Sequence, residues 1–190
     1  MPRALRLISL PALLLAALSC TTNGGNTFLV ATKITLPTGL DPVTGICAQP
    51  TFDPTAKEAV YAFFGTDAPL TMGLVLENRL TSADKGEHLQ SNDFTTTSVV
   101  IKYESTGTAA ITIPERTVAA QGYIKAKGSG AAVIDVVSTK DAATLNTQLG
   151  TDLYVRVNVH AVGKLNDGHT VQSSDYFFLV QPGAKSSRCQ

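Results

Sequence analysis

The sequence predicts an all-β fold, a single antiparallel β-sandwich with at most one or two short helices. Three observations predict it. Apolar residues recur with period two through most of the chain, which places one face of each strand on a core and the other in water. Val, Ile and Thr dominate these runs, as β-branched residues do in strands. Fifteen Gly and nine Pro, with Asn and Asp, punctuate the chain at short intervals.

Taken in order, the first clear run has Leu70, Met72, Leu74 and Leu76 alternating with Thr71, Gly73, Val75 and Glu77. Before it, 54–64 fits two periods: Ala56, Ala59, Val60 and Phe63 suit a helix, whereas Val60, Ala62 and Phe64 suit a strand, favoured from Val60 onward. Val99, Ile101 and Tyr103 make the next strand, Val118 to Ile124 a weaker one, and Ala132, Ile134 and Val136 another. Thr139 to Gly150 reads as a short helix, with Ser138 or Thr139 as N-cap, Leu145 and Leu149 four apart, and Gly150 as the stop. Leu153, Val155, Val157, Val159 and Ala161 give the clearest alternation, and Tyr176 to Val180 closes the series. Short strands parted by turns predict a sandwich of about seven strands, with a closed barrel as the alternative.

The last hairpin carries a sharper expectation. A two-residue turn at Asp167-Gly168 pairs Asn166 with His169. That register sets Val155 opposite Val180, Val157 opposite Phe178 and Val159 opposite Tyr176, with His160 facing Asp175 outside as a solvated pair.

Composition narrows the function classes. Fifteen Lys+Arg balance fifteen Asp+Glu in 190 residues, leaving no basic field for nucleic acid. A 44% hydrophobic fraction is too high for a disordered chain, and polar residues interrupt it too evenly for several membrane spans. One domain is expected.

The N-terminus reads as a signal peptide over 1–19. Arg3 and Arg6 precede a nearly unbroken apolar run, Leu7 to Leu18, which is too short to span a bilayer and ends in small residues. Ala17-Leu18-Ser19-Cys20 resembles a bacterial lipobox, whose cysteine becomes the first mature residue and carries a diacylglycerol. Leu18 lies two residues before the cysteine where that pattern usually has three, and Ala17 and Ser19 also suit ordinary signal peptidase. Cysteine arithmetic favours lipidation. Of Cys20, Cys47 and Cys189, removal of the first leaves an even pair able to form a disulfide in an oxidising compartment. Residues 20–27 then form the lipidated Cys and a tether, flexible by composition, with the β-domain over 28–190. Thr21 stands where an Asp commonly retains such proteins at the inner membrane, so the resemblance implies the outer membrane.

From about Phe52 to Cys189 the chain also resembles a group of uncharacterised bacterial lipoproteins with an immunoglobulin-like sandwich. The residues concerned are Phe52-Asp53, Tyr61, Leu74 to Leu80, and the Tyr176–Val180 strand followed by Cys189. The resemblance implies an immunoglobulin-like fold and a cell-envelope location.

Residues that carry chemistry are sparse. His88, His160 and His169 have no metal-ligand spacing, and no nucleophile elbow, P-loop, dinucleotide fingerprint or calcium loop occurs. Asp41, Asp53, Asp67 and Asp84 sit in turn contexts, and Gly128-Ser129-Gly130 reads as a turn between two strands. Of the consecutive aromatics Phe63-Phe64 and Tyr176-Phe177-Phe178, one of each set must face outward, where it is available to a partner. The expectation is a lipid-anchored envelope protein acting as a binding or structural module through an envelope partner, without catalysis, cofactor, metal or nucleic acid. The alternatives are a periplasmic enzyme with a site assembled from distant residues, and a barrel carrier of a small apolar ligand.

Overall fold

The structure, a computed structural model, describes residues 28–36, 53–59, 61–65, 69–81, 92–149 and 154–183. Within them run β1 (Leu29–Thr35), β2 (Tyr61–Phe64), β3 (Leu70–Asn78), β4 (Phe94–Ser105), β5 (Arg116–Ile124), β6 (Gly128–Val137), α1 (Thr139–Gln148), β7 (Val155–Leu165), β8 (Thr170–Gln172) and β9 (Tyr176–Pro182). The fold is all-β, and nine strands join in one sheet of order β1-β3-β6-β5-β4-β7-β9-β2, with β8 beside β7.

Inward residues of β1 to β7, of β9 and of α1 meet in a single core. One face of one sheet can enclose a common core only by curling. The free edge of β1 comes round to the far side of the sheet: Ser174 N–H donates to Leu29 O (3.0 Å), Ala31 N–H to Ser174 Oγ (3.1 Å), and Ala59 N–H to Ile34 O (2.8 Å). This covers an edge strand that would otherwise invite pairing with another chain.

The corner lies at β5. It pairs along β4 but meets β6 at the single register position Gln121↔Val133. Glycine permits the approach, since a Cβ on Gly130 would come within 2.9 Å of Ile124 and one on Gly122 within 3.0 Å of Ala131 O. The Gly128-Ser129-Gly130 segment is therefore the start of β6 rather than a turn; the turn is 125–127, with Lys127 at φ 55°. β4 also carries a bulge between Thr96 and Ser98 against both of its neighbours.

Two further expectations are corrected. β2 pairs with β9 in parallel, from Tyr61↔Leu179 to Phe64↔Pro182, so the sheet is mixed rather than wholly antiparallel. Both strands run toward the same end, and the chain passes through six other strands between them. The last hairpin has a three-residue loop: Leu165 N–H donates to His169 O, and Gly168 takes φ 89°. This is the geometry of a turn followed by a left-handed glycine. Ser174 then adds one residue on the returning strand, because Ser173 N–H still donates to Ala161 O whereas the next pair is Val159↔Tyr176. The bulge cancels the loop's offset, so Val155↔Val180 and Val157↔Phe178 pair as expected from the sequence.

The helix starts where its N-cap predicts, while the expected stop, Gly150, lies outside the described residues. Ser138 is the N-cap in a reciprocal capping box with Asp141, and Ala142, Leu145 and Leu149 are buried. It links β6 to β7 and crosses one end of the curled sheet. The opposite end gathers Phe28, 79–81, 92–93, 124–128 and 165–169. These are called the helix end and the entry end below.

Candidate functional site

At the helix end, β4, β5 and α1 bring together three side chains far apart in sequence. Tyr103 and Arg116 occupy inward positions on neighbouring strands, and Asp141 closes the first turn of α1. Arg116 Nη2 donates to Tyr103 Oη (2.9 Å), Val136 O (2.7 Å) and Asp135 O (2.8 Å), and its Nε lies 3.1 Å from Asp141 Oδ2. That last contact is an ion pair whose angle does not make a directed hydrogen bond. Asp141 also accepts from Ser138 Oγ (2.7 Å) and Tyr103 Oη (3.2 Å), and Tyr103 donates to Val136 O at 2.6 Å. Burial pushes the Tyr103 phenol well above its ordinary range; Arg116 opposes that shift and Asp141 adds to it. Arg116 Nε has the ion pair alone. The other buried polar atoms of these groups are hydrogen-bonded within the cluster or to adjacent main chain, so the cluster locks a helix onto a sheet.

At the entry end the devices are short side chains bonded to backbone. Asp93, 2% exposed, accepts from Ala126 N–H (2.8 Å) and from the Tyr123 hydroxyl, and its own carbonyl accepts from Asn166 N–H. Its hydrogen bond raises the Tyr123 phenol above the ordinary value. Asn78 donates to Asn92 O (2.6 Å) and accepts from Leu80 N–H (3.1 Å). Three connections, β3–β4, β5–β6 and β7–β8, are thereby tied to one rim.

The outer face of β7 and β9 holds the exposed aromatic. Phe178 is buried and Tyr176 half-buried, whereas Phe177 is 59% exposed, with the Arg156 guanidinium 4.1 Å from its ring centroid. Directly opposite Phe177 lies Asn158, whose Oδ1 is buried with no partner among the described residues. Phe64 is core and Phe63 half-buried, so each aromatic set divides between the two faces.

The other predicted positions fall as follows. His160 meets Asp175 at 3.1 Å on the outer face, and His169 meets Asp167 at 3.0 Å beside the loop. Asp53 accepts from Thr55 N–H and Oγ1, each at 2.7 Å, as a turn aspartate does. Cys20, Cys47, Cys189, His88, Asp41, Asp67 and Asp84 lie outside the described residues. Among the described residues no three His, Cys, Asp or Glu side chains converge as a metal site, and no helix is long and apolar enough to cross a membrane. The Tyr103–Arg116–Asp141 cluster escapes sequence reading, although a signal is present. Continuing the Val118, Ala120 phase backward puts Arg116 on the core side, and an arginine there requires a partner.

Compared with protein-family models, with curated proteins and with solved structures, the chain gave no match in any of the three.

Proposed function

We propose that this is a lipid-anchored protein of the bacterial cell envelope, held at the outer membrane through Cys20 and acting as a binding or structural interaction module rather than an enzyme. The curled sheet is read as an immunoglobulin-like sandwich whose two layers fold over at β5. The observation that carries the interaction reading is Phe177, an aromatic ring left 59% exposed on a sheet face and propped by Arg156. Aromatic and arginine side chains are the types that dominate binding hot spots. The interior supports the same reading against a ligand carrier, because Phe64, Phe94, Leu70, Met72, Leu74, Ile101, Ile134 and Leu145 occupy it.

The test is photo-crosslinking in intact cells from a benzoyl-phenylalanine at position 177, compared with one at Ala119 on the same outer surface. A discrete crosslinked product from 177 alone is expected; equal or no crosslinking from both would overturn the interaction reading. Anchorage is tested separately. Cys20→Ala should leave the membrane fraction and keep its β circular dichroism, whereas a variant that stays fully membrane-bound would refute the lipid anchor. Cys47 and Cys189 are proposed to form a disulfide between the start and the end of the domain, and two free thiols by intact mass without reductant would refute it.

A further inference from the structure

We infer that the entry end is a membrane-docking face, whose partner is the headgroup layer of the anionic bilayer that holds the lipid anchor. The inference rests on the anchorage proposed above. The described chain enters at Phe28, next to β1, and Arg79 N–H donates to Phe28 O at 2.7 Å. The eight residues Cys20 to Thr27 span at most about 26–29 Å when fully extended. As a random coil their end-to-end distance is about 16 Å. The rim around Phe28 is thus the part of the domain kept nearest the bilayer, whereas α1 crosses the other end.

What that rim presents suits a membrane interface. Phe28 is 52% exposed and Tyr123 is 51% exposed, and both sit at this end of the sheet. Lys125 and Lys127 in the β5–β6 turn and Lys164 near the end of β7 are all exposed, and no carboxylate among the described residues pairs with them. Among the described residues the acids of this rim are otherwise engaged: Glu77 with Arg79 (3.0 Å), Asp167 with His169 (3.0 Å), and Asp93 buried under Tyr123 and Ala126. Rings that sit at headgroup depth and lysines that reach phosphates are the side chains that hold a protein at an anionic surface. Ties from Asp93 and Asn78 fix the loops, so the face is preorganised and loses little entropy on docking.

The absence of tryptophan from the chain makes the test direct. Phe28→Trp and, at the helix end, Lys140→Trp each introduce a single indole reporter into the full lipidated protein. The proteins are reconstituted into phosphatidylethanolamine–phosphatidylglycerol vesicles with brominated acyl chains. Docking predicts that the reporter at position 28 shifts to the blue and loses emission to the bromines, while the reporter at position 140 keeps its emission. Adding Lys125→Glu, Lys127→Glu and Lys164→Glu to Phe28→Trp should weaken docking about fivefold per lysine, read as recovered indole emission. Protein that floats with the vesicles while the position-28 reporter stays unquenched would overturn docking and leave anchorage intact. Protein that fails to float would overturn both. A blue shift at position 28 that grows with protein concentration in the absence of vesicles would assign the face to a second copy of the chain instead.

Discussion

The two ends of the curled sheet are closed by opposite means. The helix end is sealed by a crossing helix and a buried charged cluster, in which Tyr103, Arg116 and Asp141 pair with one another. The entry end has no helix among its described residues and is closed by backbone ties to Asp93 and Asn78, with aromatic rings and lysines left outward. A charged cluster taken out of water is worth having only while complete, because a lone buried charge costs several kcal/mol. Short Asp and Asn side chains bonded to main chain fix loops one at a time, so loss of one leaves the others in place. The helix end is therefore built to stay shut and the entry end to hold a shape while facing outward. Substitutions at each end can break or sharpen that contrast.

The largest effect is expected at the entry end, from a backbone contact. A Cβ at Gly163 would stand 2.1 Å from Thr95 O and 2.6 Å from the Phe94 ring. Neither neighbour can retreat, since Phe94 is fully buried and Thr95 lies in the same sheet beside the β4 bulge. Gly163→Ala should cost more than about 3 kcal/mol, beyond ordinary overpacking. It should give insoluble or unfolded protein by circular dichroism. A well-folded variant would mean that β4 and β7 can separate, and that the entry end is less tightly built than its hydrogen bonds indicate.

Next is the charged cluster. Arg116→Ala strands the Asp141 carboxylate, whose side chain is only 12% exposed, and should destabilise by about 3 kcal/mol in urea titration. Replacing both partners, as Arg116→Met with Asp141→Leu, should recover much of that loss, because the buried charge disappears with its partner. Equal loss in the single and double variants would show that the hydrogen bonds to Val136 O and Ser138, and not the charge pair, hold the helix. The cluster also has an alkaline signature. The folded state raises the Tyr103 phenol, so its contribution is complete below the free tyrosine value of about 10 and declines as pH rises from there toward the folded value. The urea midpoint should therefore fall as pH climbs above about 10, and Tyr103→Phe should flatten that fall.

How much of this is legible in the sequence varies with the local physics. β7 is plain, because Val155, Val157, Val159 and Ala161 keep strict alternation and all are fully buried. β1 is not, since a bulge between Ala31 and Lys33 shifts its phase: Leu29 and Ala31 face inward, and the next core residue is Ile34 rather than Lys33. The β7–β9 register matches the expectation despite the wrong loop, because the extra residue in the loop is offset by Ser174 on the return strand. A serine pair is a weak sequence signal, and what fixes that bulge is a third element, since Ser174 bonds to β1. The parallel β2–β9 pair has no local signature at all, because strand order is decided by the curl of the whole sheet. The sequence narrows the N-cap to Ser138 or Thr139, and it is Ser138. The part of Asp141, as its capping partner and in the charged cluster, needs the helix and two strands in place.

Asp93→Ala should come third, at about 2 kcal/mol, since it leaves the Ala126 amide without its acceptor and frees the Tyr123 hydroxyl. The readout that separates it from Arg116→Ala is local. Hydrogen exchange should rise at 124–128, which the Asp93 carboxylate ties, and stay unchanged in α1. It should also stay unchanged at Asn166, whose N–H is held by the Asp93 main-chain carbonyl that the substitution keeps. A rise spread over both ends would show that the two closures are one cooperative unit.

The smallest effect expected is at Ser138. Its hydroxyl accepts from Asp141 N–H (3.1 Å) and donates to the Asp141 carboxylate (2.7 Å), so it caps the helix and supports the charged cluster together. Loss of a serine N-cap alone costs about 1 kcal/mol. Ser138→Ala leaves the carboxylate with Arg116 and Tyr103, so that figure applies if capping is its main task. Ser138→Asp would keep a capping oxygen yet set a second negative charge beside Asp141, so it should be worse than Ser138→Ala despite aspartate's quality as a cap. Urea titration of the two variants decides the matter. Ser138→Asp at wild-type stability would show that Arg116 has charge to spare, and that the helix end is less completely neutralised than its geometry indicates.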